Sequence, residues 1–303
     1  MTISVCMIVK NEEKVLARCL DSLKNVADEI IIADTGSDDQ TKEIARRYTD
    51  KVYDFKWIGD FSAARNFVFS KATGDYIYSA DADEVLDTGN IKRFTVLKRC
   101  LMPEVEIVTM IYVNPADINM AYNDLRERRP KLFKRLRTFT WIDPIHETVR
   151  LDPVVFDSDV EILHLPEENH SERDFKAFLK VLSDRGDMSD RLWSMYAKEL
   201  FFNGKREDFA AAAPYFEKRA GGDETYEELE AACVVARTWL ETDDFSAADE
   251  FMNRFDGFRV KPAELDYILG QICEKRGDWD RANRYYESSK CDDSFIKADY
   301  KRM

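Results

Sequence analysis

The sequence lacks any apolar run long enough to cross a membrane. Its longest apolar stretches, such as Ala231–Ala236, are short, whereas a membrane span needs roughly 20 residues. The first residues also lack the basic segment of a signal peptide, and their apolar run ends at Lys10. We therefore expect a soluble, cytoplasmic protein without a transmembrane segment.

Closely spaced cysteines and an excess of positive charge are missing as well. The six cysteines include no CxxC pair, which is typical of reduced, mostly buried thiols in the cytoplasm. The chain has 45 lysines and arginines against 59 acidic residues, a net charge of −14. Because a phosphate backbone requires a basic face, we do not expect nucleic acid as a partner. An anionic cofactor would need a local cation.

The apolar content, 45% of 303 residues, is high enough for a substantial core, and the length predicts two domains. Residues 1–113 alternate between apolar runs and helical periodicity, which predicts a mostly parallel sheet covered on both faces, an α/β fold. The predicted strands are Ile3–Val9, Glu29–Asp34, Val52–Phe55, Asp75–Ala80 and Val105–Val113.

Helices are predicted between these strands. We expect one to begin at Asn11, with Leu16, Leu20 and Leu23 on its apolar face, and one to begin at Asp60. Two others are predicted, at Thr41–Tyr48 and Ile91–Leu101. Short strands and loops, including Lys131–Lys134 and Val160–Leu165, then complete a first domain over residues 1–166.

From residue 167 to 303 the pattern is helical and repeats. Three segments, offset by 36 and 34 residues, each carry an aromatic residue, an alanine three positions later and a second aromatic three positions after that. This spacing predicts the second helix of a tetratricopeptide hairpin, and a generic helical bundle is the alternative. The three sets are Phe209–Ala212–Tyr215, Phe245–Ala248–Phe251 and Trp279–Ala282–Tyr285.

Aspartates follow two of the predicted strands. Asp81 and Asp83 lie two residues apart and can share one hard divalent cation, with a solvated turn or helix cap as the alternative. Asp34 ends another strand, where a carboxylate can bind a ribose hydroxyl or a base edge; the alternative is capping of the next helix. Ligands of parallel α/β sheets bind at the carboxyl ends of strands, so all three are candidate site residues.

Four segments, in this order and spacing, resemble the family 2 glycosyltransferases of the GT-A fold. They are Ile3–Glu13, Ile31–Ser37, Ala63–Asn66 and Asp81–Asp83. The resemblance covers about residues 1–165. With the repeats, the chain is similar to the tetratricopeptide-bearing branch, which includes bacterial peptide S-glycosyltransferases; a related branch adds sugars to the lipopolysaccharide core.

The resemblance implies a role for each matching residue. Asp34 would bind uridine, Arg65 the uracil or diphosphate, and Asp81 the ribose or the metal. Asp83 would ligate Mn²⁺ or Mg²⁺, which would also neutralise the donor phosphates. The remaining nucleotide-sugar contacts would come from Ala82 and from the backbone around Ile8, Val9 and Lys10.

Two histidines and a glutamate complete the predicted site. Glu147 resembles the family's catalytic carboxylate and would take the acceptor proton, with His146 next in line and a solvent-facing strand residue as the alternative. His164 is a candidate third metal ligand, or a buried histidine bonded to backbone. The third histidine, His170, is expected at the surface.

Seven basic residues occur within the twelve residues 126–137. One interpretation is an anion site that binds the diphosphate or an acidic acceptor. The other is a solvated loop and strand face, which is what runs of charge usually form. The second interpretation is slightly preferred.

These observations predict a metal-dependent inverting glycosyltransferase, a hexosyltransferase, that moves a sugar from a nucleotide-sugar, with a UDP-sugar as the expected donor, to a peptide or protein acceptor. A glycan or lipopolysaccharide-core transferase is the first alternative. A repeat-based protein-binding scaffold with a degenerate catalytic domain is the second. The repeats could instead form a homodimer interface.

Overall fold

The computed structural model describes residues 1–114, 126–136, 141–142, 148–149, 152–165, 171–221, 225–255 and 261–290. Contacts between these residues divide them into two compact units, the first ending at Leu165 and the second beginning at Ser171. None of the helices in this described part of the chain is long and apolar enough to span a membrane.

The first unit is built on an eight-stranded sheet. Its strand order is β3-β2-β1-β4-β7-β6-β10-β5. The strands are β1 Ile3–Val9, β2 Glu29–Asp34, β3 Val52–Asp54, β4 Tyr76–Ala80, β5 Glu84–Val85, β6 Ile107–Val113, β7 Arg126–Lys134 and β10 Val155–His164; β8 Trp141–Ile142 and β9 Thr148–Val149 form a separate pair. Strands β3, β2, β1 and β4 run parallel, as do β6 and β10, which confirms the mostly parallel sheet.

Strand β7 runs antiparallel to both of its neighbours, β4 and β6. The sequence predicts only a short strand from Lys131, but the structure has nine residues of strand from Arg126. Arg126 and Arg128 keep their charged ends in solvent and pair with acidic side chains of β10, so a charged sequence is compatible with strand here.

Helices cover both faces of the sheet because successive strand residues point to opposite faces. In β1, Val5 and Met7 join a core with α1 (Leu16–Leu23) and α4 (Thr88–Cys100), whereas Cys6 joins a second core with α3 (Phe61–Phe69). The short helix α2 (Thr41–Ala45) is three residues shorter than the predicted Thr41–Tyr48.

The two predicted helix caps have different outcomes. Asp60 caps α3, since its carboxylate accepts a hydrogen bond from the backbone N–H of Ala63 at 3.0 Å. Asn11 as a cap is wrong: α1 begins at Leu16, and Asn11 has a φ of 55°. Its amide oxygen instead accepts from the N–H of Asp38 at 2.8 Å, so this side chain holds the loop after β2.

The second unit consists of seven helices in its described residues. They are α5 Ser171–Arg185, α6 Asp190–Asn203, α7 Arg206–Arg219, α8 Tyr226–Thr242, α9 Ala248–Phe255, α10 Ala263–Lys275 and α11 Trp279–Ser288. The three repeat alanines, at 212, 248 and 282, are all buried on second helices of successive pairs. A Cβ added at Gly270 of α10 would lie 2.6 Å from the Tyr286 ring of α11, which shows how closely paired helices approach.

Candidate active site

The carboxyl ends of three parallel strands lie side by side. Strand β1 lies between β2 and β4, with Val9 paired to Asp34 and Met7 paired to Ala80. The loops that follow these strands therefore start at one edge of the sheet. This edge carries Asp34 at the end of β2 and Asp81 just after β4, as the alternating pattern of the sequence predicts.

Asp34 is held by the loop that follows it. Its Oδ1 accepts hydrogen bonds from the backbone N–H groups of Gly36 and Ser37, both at 2.9 Å. The turn requires Gly36, whose φ of 104° is in the left-handed region. The other carboxylate oxygen, Oδ2, is buried and has no hydrogen-bond partner among the described residues. An unsatisfied buried acceptor costs about 1–3 kcal/mol, so a ligand that donates to Oδ2 would recover this energy.

Arg65 brings a positive charge to the same edge. It lies on α3, where the Asp60 cap fixes the first turn, and its side chain is 40% exposed. One guanidinium nitrogen donates to the hydroxyl of Ser79. The other lies 3.6 Å from Oδ1 of Asp81, so Arg65 joins α3 to the end of β4.

A buried lysine lies on the opposite side of Asp81. Lys131 of β7 has Nζ 3.3 Å from Oδ2 of Asp81 and also donates to the carboxylate of Glu84. Loss of solvent around Asp81 acts to raise its pKa. The positive charges of Lys131 and Arg65 outweigh this effect and hold the pKa below its ordinary value.

Glu84 and Lys131 are shifted by the same cluster. Burial, reinforced by the nearby charge of Asp81, raises the pKa of Glu84 to about 8, although Lys131 opposes this shift. Burial acts to lower the pKa of Lys131, but the carboxylates of Asp81 and Glu84 outweigh it and raise the pKa. Asp81, at the end of β4, is therefore charged and lies next to the buried pair of Lys131 and Glu84.

Asp83 and His164 lie side by side. The antiparallel pairing of β5 with β10 puts Glu84 opposite His164, and Nε2 of His164 is 2.9 Å from Oδ2 of Asp83. The other ring nitrogen, Nδ1, is 3.0 Å from Oδ1 of Asn114, at the end of β6. A carboxylate oxygen of Asp83 and the Nε2 atom of His164 thus lie side by side, while the Nδ1 atom of the imidazole contacts Asn114.

The predicted site residues are not all brought together. Asp83 and His164 are adjacent, whereas the oxygens of Asp81 face the two cations. Within the described residues, no three His, Cys, Asp or Glu side chains are arranged to hold a metal ion. The roles of Asp81, Asp83 and His164 as metal ligands stay predictions.

The remaining predicted residues are distributed as follows. Val9 and Ala82 are buried, Ile8 is half-buried and Lys10 is exposed at the end of β1. Glu147, His146 and His170 lie outside the described residues, so their predicted positions are untested.

Sequence reasoning missed Lys131, Glu84 and Asn114. Lys131 is within the basic run at 126–137, where nothing distinguished it from the surface lysines and arginines. Glu84 directly follows Asp83 but was assigned no role. No sequence signal marked Asn114, since its contact with His164 depends on the pairing of β6 with β10.

The chain is similar to several known proteins. Residues 4–149 match the family model described as Glycosyl transferase family 2. A TPR repeat-containing protein of Synechococcus elongatus is 38% identical over 148 residues, which are 48% of this chain and 35% of that protein. The SPbeta prophage-derived glycosyltransferase SunS of Bacillus subtilis is 37% identical over 102 residues, 33% of this chain and 24% of that protein. The matches therefore span only about a third or less of these curated relatives.

Two solved structures have similarities of low TM-score. The first is S. aureus TarS 1–349 in complex with UDP-GlcNAc, at a TM-score of 0.41 and 13% identity, covering 96% of this chain and 92% of that chain. The second is glucosyl-3-phosphoglycerate synthase from Mycobacterium tuberculosis in complex with Mn²⁺ and UDP-glucose, at 0.42 and 14%, covering 62% and 80%.

Proposed function

We propose that this chain, whose residues 4–149 match the model of glycosyltransferase family 2, transfers a sugar from a nucleotide-sugar, most simply a UDP-sugar, to a peptide or protein acceptor. The observation that carries the proposal lies within the matched residues. There, Asp34 and Asp81 follow strands β2 and β4 at the carboxyl edge of the parallel strands, and Arg65 lies 3.6 Å from Asp81.

The donor's nucleoside would bind at Asp34. The free Oδ2 of this buried carboxylate can accept a hydrogen bond from a base N–H or a ribose hydroxyl, while Oδ1 is already bonded to the loop. The backbone after β1, around Ile8–Lys10, begins at the same edge and would line the base. A uracil N–H is a suitable donor for this oxygen, which supports a uridine nucleotide.

The diphosphate requires positive charge in a chain with a net charge of −14. Arg65 is suited to this role, because its guanidinium is partly exposed and is bound to Asp81 only at 3.6 Å. A planar guanidinium can also contact two phosphate oxygens at once. Lys131, by contrast, is buried beneath Asp81 and engaged by two carboxylates.

The residues next to Asp81 fit a divalent cation. Two ligand atoms that lie about 3 Å apart can be held by one ion. Oδ2 of Asp83 and Nε2 of His164 are separated by 2.9 Å, and Nδ1 of the same ring faces the side-chain oxygen Oδ1 of Asn114. The carboxylate oxygen suits Mn²⁺ or Mg²⁺, and the imidazole nitrogen, a ligand of transition metals, favours Mn²⁺ of the two. When bound, the ion would neutralise the diphosphate and stabilise it as a leaving group.

In the proposed reaction the protein binds the donor through Asp34 and Arg65 and removes one proton from the acceptor. We assign the proton acceptor to Glu147, with His146 as the second candidate. The deprotonated acceptor atom attacks the anomeric carbon from the face opposite the diphosphate, which inverts the configuration at that carbon. The bond from the anomeric carbon to the diphosphate oxygen breaks in the same step, and the nucleoside diphosphate leaves.

A peptide or protein acceptor is favoured by the second unit. Stacked helical hairpins present an extended surface that suits a peptide segment, whereas a small free sugar needs no such surface. The buried alanines at 212, 248 and 282 support hairpins of this kind. A glycan acceptor remains the alternative, in which case the hairpins would serve assembly.

The experiment is calorimetry of UDP binding with Mn²⁺ and with EDTA, followed by a screen of UDP-sugars for hydrolysis. We expect UDP to bind in Mn²⁺, to bind much more weakly in EDTA, and at least one UDP-sugar to be hydrolysed. A protein that neither binds UDP nor hydrolyses any donor would be a scaffold, and the proposal would be wrong.

A further inference from the structure

Lys131 is a buried cation within the proposed donor site. Its side chain is only 6% exposed. Because lysine is almost never fully buried without a partner, its ammonium group is expected to have close acceptors. The ammonium group has three acceptors for its three N–H bonds: the carbonyl oxygen of Ser79 at 3.2 Å, Oδ2 of Asp81 at 3.3 Å and Oε1 of Glu84. Every proton of this group is therefore directed to the end of β4 or the start of β5.

A β-bulge turns Lys131 toward these acceptors. Along β7, Leu132 pairs with Val108 and Pro130 pairs with Thr109, so Lys131 between them has no partner on β6. Regular strands alternate their side chains between two faces, but Nζ of Lys131 lies 5.4 Å from the centre of the Tyr112 ring, which belongs to the same core as the neighbouring Leu132. Bulges redirect side chains in this way. They also tolerate a proline such as Pro130, which has no N–H to donate, because regular pairing is interrupted there.

The contacts of Asp81 divide between two cations of different exposure. Oδ1 faces the partly exposed Arg65, whereas Oδ2 faces Lys131. The carboxylate itself is 43% exposed, and Glu84 is only 2% exposed. Lys131 thus connects a buried anchor, Glu84, to a carboxylate that faces the donor site.

We propose that Lys131 is a positioning residue for the nucleotide-sugar. It fixes the orientation of Asp81, so that this carboxylate keeps its place when Arg65 moves to the diphosphate. Glu84 acts through Lys131 and touches no ligand. This inference rests on the proposed function, because it presupposes that a nucleotide binds beside Asp81.

The alternative is that Lys131 only neutralises the buried Glu84 and so stabilises the fold. Two variants separate these roles. Lys131→Met removes the charge and leaves Glu84 without its partner, which also costs stability. The double variant Lys131→Met/Glu84→Gln removes both ionisable groups and should regain much of that stability, because a buried carboxyl group without its partner is no longer present.

The matched control is Lys134→Met. Lys134 lies on the same strand, is half-buried and donates to the backbone carbonyl of Pro103, away from the candidate site. All proteins are full length. The probes are UDP with Mn²⁺ for affinity, measured by calorimetry, and thermal unfolding for stability.

We expect Lys134→Met to bind UDP as the wild type does. Lys131→Met should bind roughly 10- to 100-fold more weakly, the loss typical of one hydrogen bond to a charged group. The double variant should unfold near the wild-type temperature yet bind UDP as weakly as Lys131→Met. Should Lys131→Met fail to fold, the double variant alone decides.

Other outcomes overturn the proposal. Wild-type affinity in the double variant would mean that Lys131 serves only to neutralise Glu84. Wild-type affinity in Lys131→Met would mean that Asp81 needs no anchor. In both cases the proposed function stands, because the wild type and Lys134→Met still bind UDP. If these two proteins bind no UDP, the proposed function fails and the positioning role fails with it.

Discussion

Three acidic residues in four positions after β4 have three different environments. Asp81 is partly exposed between two cations, Asp83 faces His164, and Glu84 is buried with its pKa raised to about 8. The sequence alone predicts that Asp81 and Asp83 lie at a strand end. It does not predict which carboxylate is paired with a cation, since the partners come from α3, β7 and β10.

At the residue scale, Asp83→Ala tests the metal site. The substitution removes the oxygen that lies beside Nε2 of His164. We expect it to weaken UDP binding in Mn²⁺ by at least about tenfold and to abolish the difference between Mn²⁺ and EDTA. Calorimetry measures both. The control is Asp21→Ala, an exposed aspartate of α1 paired with Lys24. Unchanged, metal-dependent binding in Asp83→Ala would exclude Asp83 as a ligand.

Glu147→Gln tests the proposed base. The amide keeps the shape of the side chain and removes its ability to accept a proton. Turnover should fall by roughly 10²–10⁴-fold, the usual contribution of a positioned base, while UDP affinity stays nearly unchanged. The measurement is donor consumption with acceptor present. Near-normal turnover would move the base to His146, for which His146→Asn is the next variant.

At the scale of elements, local pattern predicts some strands well and others poorly. The bounds of β1 and β2 agree with their apolar runs, because both strands are buried on both faces and bounded by polar residues. Strand β7 extends well beyond its predicted range, since its first half is charged and its bulge at Lys131 depends on pairing with β6. The missed role of Lys131 has the same cause, because only the bulge directs this lysine to Asp81.

Glu29, at the start of β2, links three segments of the first unit. Its carboxylate accepts from Ser4 of β1, from Thr73 before β4, and from Lys51 before β3. Burial would raise the pKa of Glu29, but these bonds, led by Lys51, outweigh it and lower the pKa to about 2.

Glu29→Gln should therefore destabilise the protein in a pH-dependent way. Folding lowers the pKa of Glu29 from 4.5 to about 2. The carboxylate therefore contributes its full stabilisation above about pH 4.5, and this contribution is lost as the pH falls toward 2. We expect the variant to lose about 2–3 kcal/mol at pH 7, and the difference from wild type to shrink between pH 4.5 and 2. Urea unfolding measures it. The control is Glu43→Gln, an exposed glutamate of α2; a pH-independent difference would contradict the assignment.

At the scale of the whole molecule, the chain combines an acidic composition with cations at one edge of its first unit. Arg65 and Lys131 lie at the ends of the parallel strands, and Lys42 reaches within 3.6 Å of Asp34. The sequence predicts that an anionic ligand would need such a local cation. The proposed donor residues belong to the first unit, and we propose that the second unit serves the acceptor or assembly.

Tyr226 offers a way to distinguish those two roles. It lies at the start of α8, the first helix of its hairpin, and its side chain is 53% exposed. Burial of part of the ring, together with Glu230 of α8 and Glu264 of α10, raises the pKa of Tyr226 to about 12. Helix α8 packs against α10, so the exposed ring lies at the start of a helix within this packed pair, and we propose this surface for the acceptor peptide.

We expect Tyr226→Ala to impair the transfer of sugar to peptide while leaving donor hydrolysis unchanged. Loss of an exposed aromatic contact should raise the acceptor KM by roughly 5- to 30-fold, equivalent to about 1–2 kcal/mol. The measurement is transfer of labelled sugar to a randomised peptide pool containing Ser, Thr and Cys. The control is Trp279→Ala, an aromatic of similar exposure, 60%, on the second helix α11. Light scattering follows the oligomeric state of each variant. If Tyr226→Ala changes the oligomeric state and leaves the acceptor KM unchanged, the helical unit serves assembly, and a peptide acceptor held by the hairpins is wrong.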